Sequence, residues 1–280
     1  MSTSSKLRRF SLIGLLLALF LALAGCTRAR RDLTVVFPKL GAADCAVILA
    51  EDETVVIDTG EAGDGETILD ILSDYSRDSV DLLVISHYDK DHVGGAAELL
   101  SAVPVKRVVG SSYPKDSEEY TAYQAALTEA GLTEEHLTAA ETIQLQNSLT
   151  LTVCPPEEPS YAQDESNNAS VAVALQYGSA RMLFTGDAME ERTQELLGQF
   201  SGSFDLIKLP HHGRETSTAQ ELSDTFGTDE TAYIVTSSKK EPEHKHLEDA
   251  VSGTLYLTRK GSVTVVSDGS SVRITQSKGS

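Results

Sequence analysis

The sequence predicts a layered α/β sandwich in which mixed β-sheets carry helices on their outer faces. Short apolar runs rich in β-branched residues alternate with segments of helical periodicity from residue 33 onward. The run at 80–87 is almost continuously apolar, which is typical of a strand that is buried on both faces of its sheet. No low-complexity linker divides the sequence, so these strands and helices are expected to share one layered core.

The first half contains a three-stranded meander followed by alternating helices and strands. The meander is expected over 33–40, 45–50 and 53–60, where β-branched residues are bounded by Gly, Asp and Pro. The segment 66–76 has apolar residues at helical spacing. The later elements of this half are a strand at 80–87, a helix at 94–102, a strand at 105–112 and an exposed helix at 116–131.

The second half also alternates strands and helices, and it ends in a β-rich sequence. The stretch at 133–140 is charged and is predicted to be helical, with His136 as an ordinary surface residue. The elements that follow are a strand–turn–strand at 142–156, a hairpin at 170–187, a helix at 189–200, a strand at 204–213, a strand at 231–238, a short helix at 246–253 and a β-rich tail at 254–276.

The N-terminal segment is predicted to be a targeting signal that lies outside the fold. A basic region with Lys6, Arg8 and Arg9 precedes an apolar run over 10–23. The run leads into Leu-Ala-Gly-Cys at 23–26, which resembles the lipobox of bacterial lipoproteins. A transmembrane anchor is the alternative, but the run is shorter than the roughly 20 residues that a membrane span needs.

The lipobox resemblance implies that Cys26 becomes the lipidated first residue and that the protein acts outside the cytoplasmic membrane. The expected organisation is a signal peptide over 1–25, a lipidated tether over 26–32 and one domain over 33–278. Cys45 and Cys154 lie in apolar runs and are predicted to be buried free thiols. A disulfide between these two cysteines is the alternative in an exported protein.

The net charge of the chain argues against tight, non-specific binding to nucleic acid. The formal charge is −19, and loss of the leader, which has three basic and no acidic residues, brings it to −22. An acidic surface repels polyanions, whereas non-specific nucleic-acid binding relies on Lys and Arg at the phosphates. The alternative to scattered surface charges is a local basic strip made of Lys208, Arg214, Lys239, Lys240 and Lys245.

Six of the seven histidines occur in three pairs at or after strand-like runs, where α/β folds build their sites. The first pair, His87 and His92, shares a short loop with Asp89 and Asp91, directly before two glycines. Two carboxylates this close repel each other in water, but a divalent cation bound between them makes their proximity favourable. Imidazole with carboxylate favours zinc, with manganese and iron as alternatives. A solvent-exposed acidic turn is the other interpretation.

Three further groups follow later strands. Asp187 ends an apolar run and is either a metal ligand or the N-cap of the next helix. His211 and His212 follow a strand directly, and adjacent histidines in that position are typical of metal ligands. His244 and His246 lie in a charged loop and are either a general acid, a phosphate-facing donor or a solvated pair.

The order of these motifs resembles that of the metallo-β-lactamase-fold hydrolase superfamily, whose first loop reads His-x-His-x-Asp-His. Here Asp89 stands in place of the second His, and this variant resembles the hydrolase domain of ComEC-type competence (DNA-uptake) proteins. The similarity covers about residues 33–275 and implies a four-layer αββα sandwich of two mixed β-sheets flanked by helices. Further stretches similar to that subfamily are TVVIDTG at 54–60, SNNASVAVAL at 166–175, FTGDAMEE at 184–191, LPHHG at 209–213 and LYLTRKGSVTVVSDG at 255–269.

This resemblance implies a centre for one or two divalent metal ions, which the subfamily's motif positions would hold. The sequence does not decide between the two adjacent histidines after the strand at 204–213. The implied ligands are His87 and Asp89 at site 1, Asp91, His92 and either His211 or His212 at site 2, and Asp187 as the bridge between them.

The sequence departs from the superfamily pattern where a third His of site 1 is expected. Asn167, Asn168 and Ser170 occupy that region, and neutral side chains are poorer ligands. Site 1 is therefore expected to be weak, or completed by water or substrate, and Asn168 and Ser170 become candidate substrate contacts. Asp58 is a candidate outer-sphere carboxylate, with a turn-forming role before Gly60 as its alternative.

The sequence thus predicts a lipid-anchored, metal-dependent hydrolase that cleaves phosphodiester bonds of nucleic acid or of the cell envelope. Divalent ions lower the pKa of bound water to about 7 and so supply hydroxide at neutral pH. Asp89 or Asp91 would orient this nucleophile, and His244 or His246 would protonate the leaving group. The alternatives are hydrolysis of a carboxylic ester, lactone or lactam by the same fold, and a non-catalytic metal-binding lipoprotein.

Overall fold

The computed structural model describes residues 32–145, 149–238 and 246–278. Over these ranges two mixed β-sheets pack face to face, and helices cover the outer face of each sheet. The predicted four-layer α/β fold is therefore confirmed. The predicted leader, Cys26, His244 and the lysines at 239, 240 and 245 lie outside the described residues.

Apart from β6, the strands follow the predicted runs closely. In chain order they are β1 (Leu33–Phe37), β2 (Ala46–Ala50), β3 (Glu53–Ile57), β4 (Leu82–Ile85), β5 (Val108–Gly110), β6 (Glu134–Glu135), β7 (Glu141–Gln144), β8 (Leu149–Cys154), β9 (Ala172–Tyr177), β10 (Ala180–Phe184), β11 (Leu206–Lys208), β12 (Ala232–Val235), β13 (Thr254–Leu257), β14 (Val263–Ser267) and β15 (Val272–Gln276). The first sheet has the order β15-β14-β1-β2-β3-β4-β5-β6, and the second has the order β13-β12-β11-β10-β9-β8-β7.

The helices in chain order are α1 (Gly65–Asp74), α2 (Lys90–Val93), α3 (Ala96–Ala102), α4 (Glu118–Ala130), α5 (Glu165–Asn168), α6 (Glu190–Gln199), α7 (Thr216–Phe226) and α8 (Leu247–Ala250). The sequence pattern did not predict α7. Its buried face consists of Ala219, Leu222 and Phe226, at the spacing of one helix face. Serine, threonine and acidic residues fill the positions between them, and they obscure this periodicity.

The predicted helix at 133–140 is wrong. The chain there forms β6, which pairs in parallel with β5 at the edge of the first sheet. The carboxylate of Glu134 accepts hydrogen bonds from the Tyr123 hydroxyl at 2.6 Å and from the Gln124 amide at 3.2 Å. These tertiary contacts hold the segment extended against α4, while the side chain of His136 stays half-exposed.

The central strand β4 shows why a continuous apolar run was required. Leu82 and Val84 face the core between the two sheets, whereas Leu83 and Ile85 face the helices. Each side chain buried in this way contributes about 1.5–3 kcal/mol. Cys45 and Cys154 are buried free thiols, as the sequence predicted.

The parallel parts of both sheets bring strand ends to a common edge. β3, β4 and β5 run parallel in the first sheet, and β10, β11, β12 and β13 run parallel in the second. The rings of Phe37 and Phe184 stack across the sheets with centroids 5.9 Å apart. The loops that follow β3, β4, β10, β11 and β12 can therefore meet at one place. Within the described ranges, no helix combines the length and the apolar content that a membrane span requires.

Candidate metal centre

Acidic and imidazole side chains converge at the edge where the parallel strands end. They come from segments that are far apart in sequence and that the sheet order brings together. The members of this cluster are Asp44 just before β2, Asp58 after β3, His87, Asp89, Asp91 and His92 after β4, Asp187 after β10 and His212 after β11.

The loop after β4 is packed tightly against the loop after β3. A Cβ atom on Gly94 would come within 2.5 Å of backbone atoms of residues 61–62, and one on Gly95 would lie 2.4 Å from the Thr59 carbonyl oxygen. Both positions therefore need glycine. The Thr59 backbone N–H donates to the His92 carbonyl at 2.7 Å, which fixes the two loops to each other.

We call Asp91, His92, Asp187 and His212 the inner half of the cluster. The Nδ1 atom of His92 lies 2.9 Å from Oδ2 of Asp58. An ionised carboxylate only accepts hydrogen bonds, so Nδ1 donates and Nε2 is left to face the cluster. That Nε2 atom lies 3.2 Å from Oδ2 of Asp187.

His212 is oriented in the same way from the second sheet. Its Nδ1 atom lies 3.2 Å from the carbonyl oxygen of Thr236, which can only accept, so Nε2 again faces the cluster. Nε2 lies 3.2 Å from Oδ2 of Asp91 and 3.5 Å from Oδ2 of Asp187. Both inner imidazoles therefore direct Nε2 at the same carboxylate oxygen.

An unusual backbone turn aims His212 into the cluster. His211 and His212 have φ values of +46° and +54°, and Gly213 continues the turn at +70°. The left-handed conformation costs an ordinary residue about 1–2 kcal/mol. Backbone strain of this kind clusters at functional sites, because the surrounding fold must hold it in place.

We call His87 and Asp89, together with the two hydrogen-bond partners of Asp89, Lys115 and Ser166, the outer half of the cluster. Oδ1 of Asp89 accepts hydrogen bonds from the Lys115 ammonium and from the Ser166 hydroxyl. Nε2 of His87 lies 3.7 Å from the same oxygen. His87 is buried, whereas the side chains of Asp89 and Lys115 are 29% and 34% exposed. The outer half therefore opens to solvent.

A buried lysine supports the inner half from below. Lys208 is 4% exposed, pairs with the carboxylate of Asp44 and donates to the Gly186 carbonyl at 3.0 Å. Its ammonium also lies 3.6 Å from Oδ1 of Asp187. The Thr236 hydroxyl donates to the other oxygen of Asp44. Lys208 thus engages one oxygen of Asp187 while the other oxygen faces the imidazoles.

The two neighbouring histidines of the first motif have opposite pKa shifts. Burial, reinforced by the charge of His92, lowers the pKa of His87 to about 4. Burial also acts to lower the pKa of His92, but the carboxylates of Asp187 and Asp58 raise it well above its ordinary value. Burial acts to raise the pKa of Asp187, and the charges of His92 and His212 hold it well below its usual range. Without metal, the inner half is therefore an imidazolium–carboxylate network.

The donor set fits a divalent metal ion. The Nε2 atom of His87 is buried without a hydrogen-bond partner, which is uncommon for a buried polar group. Ligand atoms of His87, His92 and Asp187 lie within 4.8 Å of one another, and so do those of Asp91, His92 and His212. Imidazole and carboxylate together suit zinc, manganese or iron. The cluster can therefore hold a divalent metal.

The geometry distinguishes the two adjacent histidines that the sequence left open. His212 is fully buried with Nε2 in the cluster. The His211 ring lies between Glu215, 3.6 Å from Nδ1, and Arg214, 3.1 Å from Nε2, and only its backbone N–H reaches Asp187. His212 is thus the member of the pair that is placed as a ligand.

The structure contradicts the substrate contact predicted for Asn168. Its side-chain amide donates to the Gln163 carbonyl at 2.9 Å, and its oxygen accepts the Arg192 backbone N–H at 3.1 Å, so the buried side chain is used within the fold. Ser170 does reach the cluster, but it is fully buried and its hydroxyl accepts the Asp187 backbone N–H at 3.0 Å. It supports Asp187 and is not open to substrate.

Two other predictions concern the rim. Lys208 does not belong to a surface basic strip, because it is buried in the ion pair with Asp44. His246 is exposed and precedes Leu247, whose side chain lies against Gly213. The segment that carries His246 therefore passes beside the turn that holds His212.

Sequence reasoning did not assign Asp44, Lys115 or Ser166 to the site. Asp44 and Lys208 are 164 residues apart, and Ser166 and Asp89 are 77 residues apart. No local pattern connects residues so far apart. A lone carboxylate directly before an apolar strand was the available signal for Asp44, whereas Lys115 sits in a charged surface segment without such a signal.

Comparison with known proteins finds one matching family and several relatives. A family model described as the metallo-beta-lactamase superfamily matches residues 38–237. ComE operon protein 3 of Bacillus subtilis is 29% identical over 189 residues, which are 67% of this chain and 23% of that protein. Recombination protein 2 of Haemophilus influenzae is 26% identical over 200 residues, which are 70% of this chain and 23% of that protein. The chain spans about a quarter of the length of these curated relatives.

A solved structure shares the architecture at low sequence identity. The metallo-β-lactamase fold protein YhfI from Bacillus subtilis superposes with a TM-score of 0.56 at 13% identity. The superposition covers 88% of this chain and 100% of YhfI. This likeness concerns the fold alone.

Proposed function

The chain belongs to the metallo-β-lactamase superfamily, and we propose that it is a metal-dependent hydrolase of phosphodiester bonds. The observation that carries this proposal is the pair of inner imidazoles, whose Nδ1 atoms are engaged by Asp58 and Thr236 so that Nε2 points into the cluster. We further propose that lipid on Cys26 anchors the protein at the outer face of the cytoplasmic membrane.

The inner half offers the more complete ligand set. Asp91, His92, Asp187 and His212 would hold one ion, and His87 with Asp89 would contribute to a second. A divalent ion bound there lowers the pKa of water and polarises a phosphoryl or carbonyl oxygen.

The chain's own residues would fix the orientation of this centre. Asp58 accepts from Nδ1 of His92, which favours the tautomer with Nε2 free for a ligand bond. Thr236 does the same for His212. Asp91, at the half-open side of the inner half, has a second oxygen that could orient the attacking water. His246 remains our candidate for protonation of the leaving group, because its segment passes beside Gly213.

Two features support a phosphodiester substrate. Recombination protein 2 is named for a process on DNA, whose backbone is a phosphodiester. Lys115 at Asp89, and Arg214 beside the ring of the adjacent His211, also add positive charge in this part of an acidic chain. A phosphate group could approach these cations even though the protein as a whole repels polyanions. Small phosphodiesters therefore fit the charge distribution better than long nucleic acids do.

Hydrolysis of a carboxylic ester, lactone or lactam is the second candidate, since the net charge of −19 favours neutral or cationic substrates. The test is metal analysis of the purified protein together with turnover of an aryl phosphodiester, an aryl ester and a chromogenic lactam. We expect the phosphodiester to be preferred, and preference for either other substrate would overturn the assignment.

Variants complete this experiment. Asp91→Ala and His92→Ala should lose both bound metal and turnover, because each removes an inner ligand. His136→Ala is the matched control, since this half-exposed histidine lies at the far edge of the first sheet. Unchanged metal content and turnover in both cluster variants would contradict the proposal that the protein is a metal-dependent hydrolase.

A further inference from the structure

One oxygen atom of the outer half has three competing neighbours. Oδ1 of Asp89 accepts from the Lys115 ammonium and the Ser166 hydroxyl, and it lies 3.7 Å from Nε2 of His87. Asp89 stands at the position where the superfamily motif carries its second histidine. A histidine could not accept a lysine ammonium in this way while its ring nitrogen faced a metal, whereas a carboxylate attracts either cation.

His87 marks the space that a second ion would enter. Its Nε2 atom is buried and has no hydrogen-bond partner, although the ring is packed against that of His92 with centroids 4.1 Å apart. An ion that used both Nε2 of His87 and Oδ1 of Asp89 would share this oxygen with the Lys115 ammonium. Two cations on one carboxylate oxygen repel each other strongly at such short range.

We propose that Lys115 is a built-in competitor for the second metal ion. Its ammonium occupies Asp89 in the outer half, so that the chain holds one ion tightly in the inner half and admits a second only when Lys115 leaves. This inference rests on the proposed metal-dependent function and specifies how many ions the protein holds at low metal concentration. Lys115 lies outside the sequence motifs that carry the proposed metal ligands.

Lys115 is able to leave because of its position. It lies in the loop between β5 and α4, and its side chain is 34% exposed, so the ammonium can turn into water without unfolding any element. A lysine ammonium on its four-carbon stem is mobile and is well solvated outside the pair. Ser166 would still hold Asp89 after that movement, because its hydroxyl contacts the same oxygen independently.

Among the residues that the structure describes, no lysine or arginine competes in this way for the oxygen atoms nearest to the inner imidazoles. Lys208 contacts Oδ1 of Asp187, whereas the Nε2 atoms of His92 and His212 lie nearest to Oδ2. The buried lysine and an inner ion can therefore use different oxygens of one carboxylate. This difference predicts two metal affinities that are well separated in the wild-type protein.

The experiment is equilibrium dialysis of the full protein against zinc and, separately, manganese, with bound metal measured by elemental analysis. We expect a tight first equivalent and a weak second equivalent in the wild-type protein. Lys115→Met should tighten the second equivalent by about 5- to 150-fold, the usual range of coupling between sites, and leave the first unchanged. Lys115→Gln should behave in the same way, and Lys115→Arg should keep the second equivalent weak.

Two controls separate charge competition from other effects. Ser166→Ala removes a neutral donor from the same oxygen and should keep the second equivalent weak. Lys106→Met removes a lysine from a surface pair with Asp81 and should change neither affinity. Equal affinities for the second ion in the wild type and in both neutral Lys115 variants would overturn the inference while leaving the proposed function intact. Absence of any bound metal would overturn both.

Discussion

In the inner half of the cluster, each imidazole has one ring nitrogen fixed by an oxygen that can only accept, the Asp58 carboxylate for His92 and the Thr236 carbonyl for His212. In the outer half, Nδ1 of His87 faces the hydroxyl of Ser86 at 3.1 Å, and the nearest carboxylate is already paired with a half-exposed lysine. The two halves nevertheless share one short loop and two histidine rings in contact.

The difference teaches that burial alone does not decide what a metal-motif histidine does. His87 and His92 are both buried, but carboxylate oxygens lie closer to His92, at 2.9 Å from Asp58 and 3.2 Å from Asp187, than to His87, at 3.7 Å from Asp89. The pKa values of the two histidines therefore move in opposite directions. The second sheet makes this distinction, because Asp187 and His212 reach the inner half from β10 and β11. The loop after β4 thus supplies ligands both to the inner half, whose imidazoles are held in place, and to the outer half, whose carboxylate can exchange partners.

The largest expected effect tests whether the inner half is preorganised by its buried ion pair. Lys208→Met should destabilise the metal-free protein by about 3–5 kcal/mol, because it removes the lysine charge that pairs with the buried carboxylate of Asp44. Chemical denaturation measures the change. The double variant Asp44→Asn/Lys208→Met should recover part of the loss, since it also removes the buried negative charge that Lys208 balances.

Lys106→Met is the matched control for that experiment, as it breaks a lysine–aspartate pair in which the lysine is exposed. Exposed pairs contribute little to stability, so its effect should be much smaller. Equal destabilisation by the two methionine variants would mean that the buried pair does not organise the inner half.

The next effect concerns the two adjacent histidines. His212→Ala should weaken metal binding by more than the about 10- to 100-fold that loss of an outer-sphere partner costs, because it removes an inner ligand. His211→Ala should leave metal affinity unchanged, since the His211 ring faces Glu215 and Arg214. Metal titration of both variants measures the difference, and the reverse order would exchange their roles.

Sequence patterns predicted most of the strands and helices and the types of ligand residue, but they missed β6, α7 and the partners of the ligands. The continuous apolar run of β4 and the meander β1–β3 were predictable because their burial leaves a local pattern. The choice of His212 depends on left-handed backbone at two successive histidines, which no propensity indicates. Likewise, the pairing of Lys208 with Asp44 joins the two sheets, and only the packed fold brings them together.

A smaller effect tests the outer-sphere support of the inner half. Asp58→Asn should weaken metal binding by about 10- to 100-fold, because the neutral amide holds the His92 tautomer less firmly. Metal titration against a competing chelator gives the affinity. Asp78→Asn, at an exposed position, is the control and should not change it. If Asp58→Asn binds metal with unchanged affinity, Asp58 only forms the turn before Gly60 and does not support the metal ligands.

The smallest effect is the pH dependence of the two contacting histidines in the metal-free protein. The folded pKa of His87, about 4, lies below its unfolded value of about 6.5, so between these values the unfolded state binds the additional proton. Its contribution to stability is present above pH 6.5 and is lost as the pH falls, by about 1 kcal/mol between pH 6.5 and 5.5. His87→Gln should remove that loss.

His92 should show the opposite sign, because its folded pKa is raised above the unfolded value. Its contribution is fully present below pH 6.5 and is lost as the pH rises through the folded pKa, so His92→Gln should be most destabilising in mild acid. Denaturation of the wild type and of both glutamine variants across this range measures the two slopes. Slopes of the same sign would remove the electrostatic distinction between the halves, whereas opposite slopes from two touching rings would locate that distinction in the carboxylates around His92.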